Sequence, residues 1–310
     1  MYYLNYPAIG NNYHVVIAEE QKNSILKATE YLNNVSYIEN KFDFALGNYY
    51  DFQKILLEKS LADSIRPSFD ISEIMKCERD LTRYLFNLLS AIYAYTEQIQ
   101  TLRRKLNLVD PDIIKKNVQE FENKNTSTKL IIDLRDHIQH FGISTNISLG
   151  SCDITNQDEN LRYLFFYNTL NLDIKRCKED SKMKKHLSFL KNSKEKIEIC
   201  EHIKIYFKEF CQLHEKTREL LSEELKKNIN SIENIFEFFK TETNFEFGEG
   251  QKILGIFSEE NNSDSYLFTD NIIREINDLI NRNSNLSNIE SRFACNASYT
   301  QLKLLKNCVR

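Results

Sequence analysis

At 310 residues the chain is near the upper size for a single hydrophobic core, so one large domain or two smaller ones are expected. Seven glycines and three prolines make up about 3% of it, against roughly 12% in average usage. That scarcity excludes sandwiches, propellers, dinucleotide-binding sheets and phosphate-binding loops, and favours long helices. The formal net charge of −4 excludes binding of nucleic acid through an overall basic surface and leaves only a local contact open.

Hydrophobic residues at 41% and charged residues at 28% suffice to bury a core, so the composition is not that of a disordered chain. No window approaches the roughly 18 to 20 uninterrupted apolar residues of a membrane span, and the opening MYYLNY lacks the features of a signal peptide. A cytoplasmic address without a membrane partner is expected. Cys77, Cys152, Cys177, Cys200, Cys211, Cys295 and Cys308 are odd in number, scattered and free of any C-x-x-C, which reads as reduced thiols rather than disulfides or a zinc knuckle.

In chain order, a short strand is expected around Tyr13 to Ile17. Two helical segments follow, Glu19 to about Asn33 and an aromatic-rich stretch from Phe42 to Leu61. The clearest element begins at Asp70, where Asp70 and Glu73 have capping-box spacing and apolar residues then recur at threes and fours to about Asn107. Asp110-Pro111 reads as N-cap and first position of a short helix through about Phe121, and a further helix covers Thr128 to Phe141, stopped by Gly142. Alternation of side chains across 143–175 then predicts a small antiparallel strand pair. Helix returns from about Lys182 to Lys240, the pattern breaks around residues 243–264, and Asn271 to Asn281 forms one more helix before an Asn/Ser-rich tail.

The run Leu134-Arg135-Asp136-His137-Ile138-Gln139-His140-Phe141-Gly142 concentrates two of the six histidines beside a guanidinium and a carboxylate. On a helix, Leu130, Ile131, Leu134, Ile138 and Phe141 form the apolar stripe, Arg135 lies on its flank, and Asp136 and His140 share a face turned away. Arg135 and His140 stand about 140° apart around the axis and roughly 7.5 Å along it, so aiming both at one atom needs a bend, a long arginine reach or a partner. Imidazole exchanges protons near neutral pH and guanidinium offers two parallel donors to a phosphorane, a pairing suited to metal-independent cleavage of RNA. Asp136 can set the orientation or tautomer of the imidazole.

Arg135-Asp136-x-x-x-His140 resembles the R-x(4–6)-H signature of HEPN domains, in which a polar residue follows the arginine. The preceding long helix with Arg83-Tyr84-Leu85-Phe86-Asn87-Leu88-Leu89-Ser90-Ala91, the string Gln139-His140-Phe141-Gly142, and the later Leu213-His214-Glu215-Lys216-Thr217-Arg218 are similar to elements of uncharacterised bacterial HEPN-like proteins. The resemblance covers about residues 67–225. Asp136 stands where asparagine is commonest, and the strand pair after Gly142 lies outside the minimal domain. The resemblance implies an α-helical, usually dimeric domain, often a ribonuclease of toxin–antitoxin or anti-phage systems, with the motifs of two protomers facing one cleft.

The expected fold is therefore mainly α, a HEPN-like helical bundle with a small antiparallel β insertion. Its parts are a helical extension over 1–66, the HEPN-like domain over 67–245, and a C-terminal helix and tail over 246–310. The expected function is a metal-independent RNA endonuclease with catalytic Arg135, Asp136 and His140 and no cofactor. Its expected partners are RNA, a second copy of the chain, and an antitoxin or nucleotidyltransferase. Three alternatives remain: a non-catalytic HEPN-type scaffold binding nucleotide, RNA or protein; a coiled-coil adaptor resting on the long helices; and a solvated helix end, where the dipole favours His140 and Arg135 only salt-bridges a neighbour. His137 borders the apolar stripe and reads as packed. His137-x-x-His140 lacks the companions of a metal site, and His214 with Arg218 either joins the site or, the better bet, braces the bundle.

Overall fold

The computed structural model describes residues 1–7, 13–66, 70–106, 108–141, 145–156, 161–173, 177, 196–248, 250–258, 265–292 and 294. Strands β1 (Tyr2–Asn5) and β2 (His14–Ile17) precede helices α1 (Glu19–Ile65), α2 (Ile71–Leu102), α3 (Asp112–Asn123) and α4 (Thr126–Phe141). Then come β3 (Thr145–Asn156), β4 (Leu161–Asp173), β5 (Lys196–Glu198), α5 (Cys200–Thr243), β6 (Ile253–Ser258), β7 (Tyr266–Thr269) and α6 (Asn271–Arg282). The fold is mainly α, with small antiparallel sheets. Among the described residues no helix is long and apolar enough to cross a membrane.

The chain forms two compact units, each assembled from separate stretches: 1–43, 95–116 and 214–285 in the first, 44–94, 117–213 and 286–310 in the second. The first holds a four-stranded sheet in the order β2-β1-β6-β7, all pairs antiparallel. Phe236 of α5 meets Phe268 of β7 and Phe247 at ring-centroid distances of 5.5 Å, so an aromatic cluster fixes the end of α5 beside that sheet. Gly255 sits mid-sheet, where a Cβ would collide with the Phe257 ring. The second unit carries the sheet β3-β4-β5, with Tyr49 of α1 stacked on Phe207 of α5 at 3.8 Å.

Several expectations meet the structure directly. Asp70 caps α2 by accepting the Ser72 N–H at 2.8 Å, and Asp110 accepts the Asp112 N–H at 3.0 Å before α3. Helix α4 begins at Thr126 rather than Thr128, because Asn125 Oδ1 accepts the Thr128 N–H at 2.9 Å and so caps the helix from within the polar stretch between the two expected helices. The strand pair expected across 143–175 is the antiparallel pair β3–β4, with Thr145 opposite Leu172. Gly142, the expected stop of α4, and residues 182–195, the expected start of the next helix, lie outside the described residues.

Three corrections follow. The two helices expected over 19–33 and 42–61 are the single helix α1, since Val35, Ile38 and Phe42 carry its buried stripe straight through. Glu39 obscured that stripe; it is buried within it and neutralised by Arg218 of α5. Lys196–Glu198, expected to be helical, is strand β5, and α5 starts only at Cys200, because Leu172 pairs with Ile197 across the sheet edge. The strands β1, β6 and β7 were not expected: each runs for only four to six residues, and β1 pairs with β6 far along the chain, Tyr2 opposite Ser258, with β7 added at the edge of β6.

Candidate functional site

In the second unit, Arg135 projects from the penultimate turns of α4 and lies with its guanidinium carbon 3.7 Å from the Tyr93 ring centroid of α2. One terminal nitrogen donates to Asp136 Oδ1 at 2.9 Å. The stripe of Leu130, Ile131, Leu134 and Ile138 is buried, which sets the helix's rotation and leaves Arg135 at its margin, 18% exposed. Arg135 Nε is buried with no hydrogen-bond partner among the described residues, so one donor of the fork is unused. Tyr206 of α5 lies within electrostatic range; burial pushes its phenol up, and the positive charge of Arg135 opposes that rise.

His140 is exposed in the last turn of α4, where the helix dipole favours a cation, and it makes no hydrogen bond or ion pair with a described residue. Thus Arg135 and Asp136 are paired, and the exposed His140 is bonded to neither. Asp136 engages the guanidinium, where the sequence reading assigned it to the imidazole. His137 is 2% exposed, as a packed histidine should be. Sequence reasoning missed Tyr93 and Tyr206; a cation–π partner on another helix leaves no local pattern to find.

His214 and Arg218, four apart on α5, belong to the first unit and form a different cluster. Arg218 grips Glu39 of α1 in a two-point pair, Nε to Oε1 at 2.9 Å and a terminal nitrogen to Oε2 at 2.5 Å, and also donates to the Asn283 carbonyl at 3.0 Å. The fully buried His214 stacks on Phe42 at 3.6 Å between ring centroids, and its Nδ1 meets the Tyr95 hydroxyl at 2.8 Å. Its Nε2 faces Glu39 Oε2 at 3.4 Å, a long electrostatic contact without hydrogen-bond geometry. The chemistry fits a neutral ring with the tyrosine donating to Nδ1 and the Nε2 proton facing the carboxylate.

Burial pushes the His214 imidazole down, with Glu39 opposing that fall. Burial alone would raise the Glu39 carboxyl, but the neighbouring His214 and the two-point pair with Arg218 outweigh that and hold it at about 2. The network is shut away from solvent, which suits bracing of α1 against α5 rather than chemistry on a ligand.

Cys77, Cys177, Cys200 and Cys211 form no disulfide with one another, and burial raises the Cys200 thiol to about 11, so it is a poor nucleophile. Comparisons with protein-family models, with curated proteins and with solved structures find no match.

Proposed function

We propose that this chain is a metal-independent RNA endonuclease of HEPN type. His140 serves as general acid/base, Arg135 neutralises the phosphorane, and Asp136 holds the guanidinium in place. The observation that supports this reading most is the contrast on one helix end: a guanidinium braced on Tyr93 and Asp136 with a donor to spare, beside an imidazole in open solvent. In the proposed step the imidazole takes the ribose 2′-hydroxyl proton and the 2′-oxygen attacks phosphorus. The 5′-oxygen leaves with a proton from water, giving a 2′,3′-cyclic phosphate and a 5′-hydroxyl.

The divergence of Arg135 and His140 on a single helix supports a homodimer in which each copy completes the other's site. In a toxin–antitoxin or anti-phage setting the partner would be an antitoxin or a nucleotidyltransferase, and the cell compartment the cytoplasm. The second reading, a non-catalytic HEPN-type scaffold, draws support from the Asp136 carboxylate, which already neutralises Arg135 and adds negative charge where a phosphate would sit.

Incubation of the purified full chain with RNA and with DNA of the same sequence, in EDTA, separates the two readings. The enzyme reading expects cleavage of RNA alone, and Arg135→Ala should lower its rate by about 10²–10³, the cost of losing a donor to a developing oxyanion. Binding of RNA without cleavage under any condition favours the scaffold.

A further inference from the structure

Lys59, Asp63 and Asn168 form a cluster in the second unit that the proposed ribonuclease step does not use. Lys59 and Asp63 are one turn apart on α1, and their side chains are ion-paired. The Asp63 side chain is 2% exposed and that of Lys59 17%, so the pair is drawn away from water. The other carboxylate oxygen, Asp63 Oδ2, accepts from Asn168 Nδ2 of β4 at 3.0 Å. One buried carboxylate thus holds an amine nitrogen on one oxygen and an amide nitrogen on the other.

Ser60 fixes the asparagine. Its Oγ donates to the Leu56 carbonyl at 2.9 Å and accepts from the Asn168 backbone N–H at 3.0 Å and from Asn168 Nδ2 at 3.3 Å. Asn168 is 8% exposed, and its Oδ1 is buried with no hydrogen-bond partner among the described residues. The carbonyl carbon Cγ is therefore held in place and shielded from water, while the amine beside the same carboxylate sits on a flexible four-carbon stem. Two opposite charges in a poorly solvated place are costly, and one proton passed from ammonium to carboxylate removes both at once. That transfer leaves a neutral amine, which is a nucleophile, next to an acid that can protonate a leaving nitrogen.

We propose that Lys59 and Asn168 join in an intramolecular isopeptide bond, with Asp63 as the proton shuttle. Asp63 takes one proton from the Lys59 ammonium, and the freed lone pair of Nζ attacks Asn168 Cγ. Asp63 then returns that proton to Nδ2 and takes a second from Nζ, as the Cγ–Nδ2 bond breaks and ammonia leaves. No atom changes oxidation state, and no co-reactant is needed. The bond has a structural use, because β4 pairs with β3 over twelve residues but with β5 over only three, and a two-stranded ribbon is marginal in water. It would tie that ribbon to α1 and close a loop of roughly 110 residues, which takes entropy from the unfolded chain. The cluster shares no residue with the Arg135, Asp136 and His140 set, so it does not rest on the ribonuclease reading.

Intact-mass spectrometry of the purified full chain, followed by peptide mapping, tests the proposal. The wild type should be lighter than its sequence requires by about 17 Da, one ammonia. Its tryptic digest should contain a branched peptide, uncut at Lys59, that joins Lys59 to the peptide bearing Asn168. Lys59→Arg keeps a positive charge beside Asp63 but has no nucleophilic amine, and Asp63→Asn keeps the shape but loses the shuttle. Each variant should show its full sequence mass, with Lys59→Arg still unfolding cooperatively on heating. A wild type at full sequence mass overturns the proposal. A loss of about 18 Da, the water released by an amide between Lys59 and Asp63 themselves, also overturns it, as does a loss of about 17 Da that persists in Lys59→Arg and so marks a succinimide at an asparagine.

Discussion

His214 lies fully buried between the Phe42 ring, the Tyr95 hydroxyl and the Glu39 carboxylate, whereas His140 stands in solvent on the last turn of α4. Each is five or fewer residues from an arginine, and the arginines differ as much as the histidines do. Arg218 spends its fork on Glu39 and a backbone carbonyl, while Arg135 rests on a tyrosine face and one adjacent carboxylate with Nε unpaired. A histidine–arginine pair is thus structural when the imidazole is shut away from water and the guanidinium fork is filled, as with His214 and Arg218. It is a candidate for chemistry when its polar atoms are left with capacity to spare.

Breaking the buried side of this comparison should have the largest effect. Glu39→Ala leaves Arg218 and His214 facing an unoccupied volume, and loss of one partner from a buried pair costs about 3–5 kcal/mol, to be read as a lowered urea midpoint. The same substitution should leave RNA cleavage per folded molecule unchanged. A midpoint within experimental scatter of wild type would show that the network contributes nothing net.

Acid should sharpen the contrast. The folded imidazole of His214 sits below its ordinary 6.5, so between those values the unfolded chain binds the extra proton. Its contribution to stability is complete above pH 6.5 and is lost as the pH falls. Glu39, held at about 2 against its ordinary 4.5, adds a second loss below 4.5. The urea midpoint of the wild type should therefore fall on acidification from about pH 7 to pH 5, and that of His214→Gln should fall less over the same interval. Parallel curves would remove His214 from the account.

The smallest effect belongs to Tyr93. Replacing it with leucine keeps an apolar contact but removes the cation–π attraction on Arg135, worth about 0.5–1 kcal/mol at a partly exposed site. RNA cleavage by Tyr93→Leu should drop about two- to fivefold with the thermal midpoint nearly constant. A loss as large as that of Arg135→Ala would assign Tyr93 a direct part in substrate binding.

Much of the helical framework is legible in the sequence because its determinants are local. Asp70 and the recurring apolar residues behind it announce α2, and Asp110 announces α3. What escaped depends on partners remote in the chain. Glu39 looks like a break in an apolar stripe until Arg218 is seen beside it. Tyr2–Asn5 carries no strand pattern of its own until Ile253–Ser258 pairs with it, and Asn125 lies outside the expected helix until its side chain closes the first turn of α4. The Arg135, Asp136 and His140 set was visible as a motif, but which of its members would touch was not, because Asp136 is within reach of both a neighbouring guanidinium and a histidine one turn on.

The central claim, that the exposed histidine does chemistry, is tested most directly by the rate at which purified wild type and His140→Ala cleave one defined RNA in EDTA. Both thermal midpoints are recorded on the same preparations. The account predicts a 2′,3′-cyclic phosphate product from the wild type, and a rate lowered by about 10²–10⁴ in the variant with the midpoint unchanged. An equal rate in the two proteins, or no cleavage by the wild type, would contradict it.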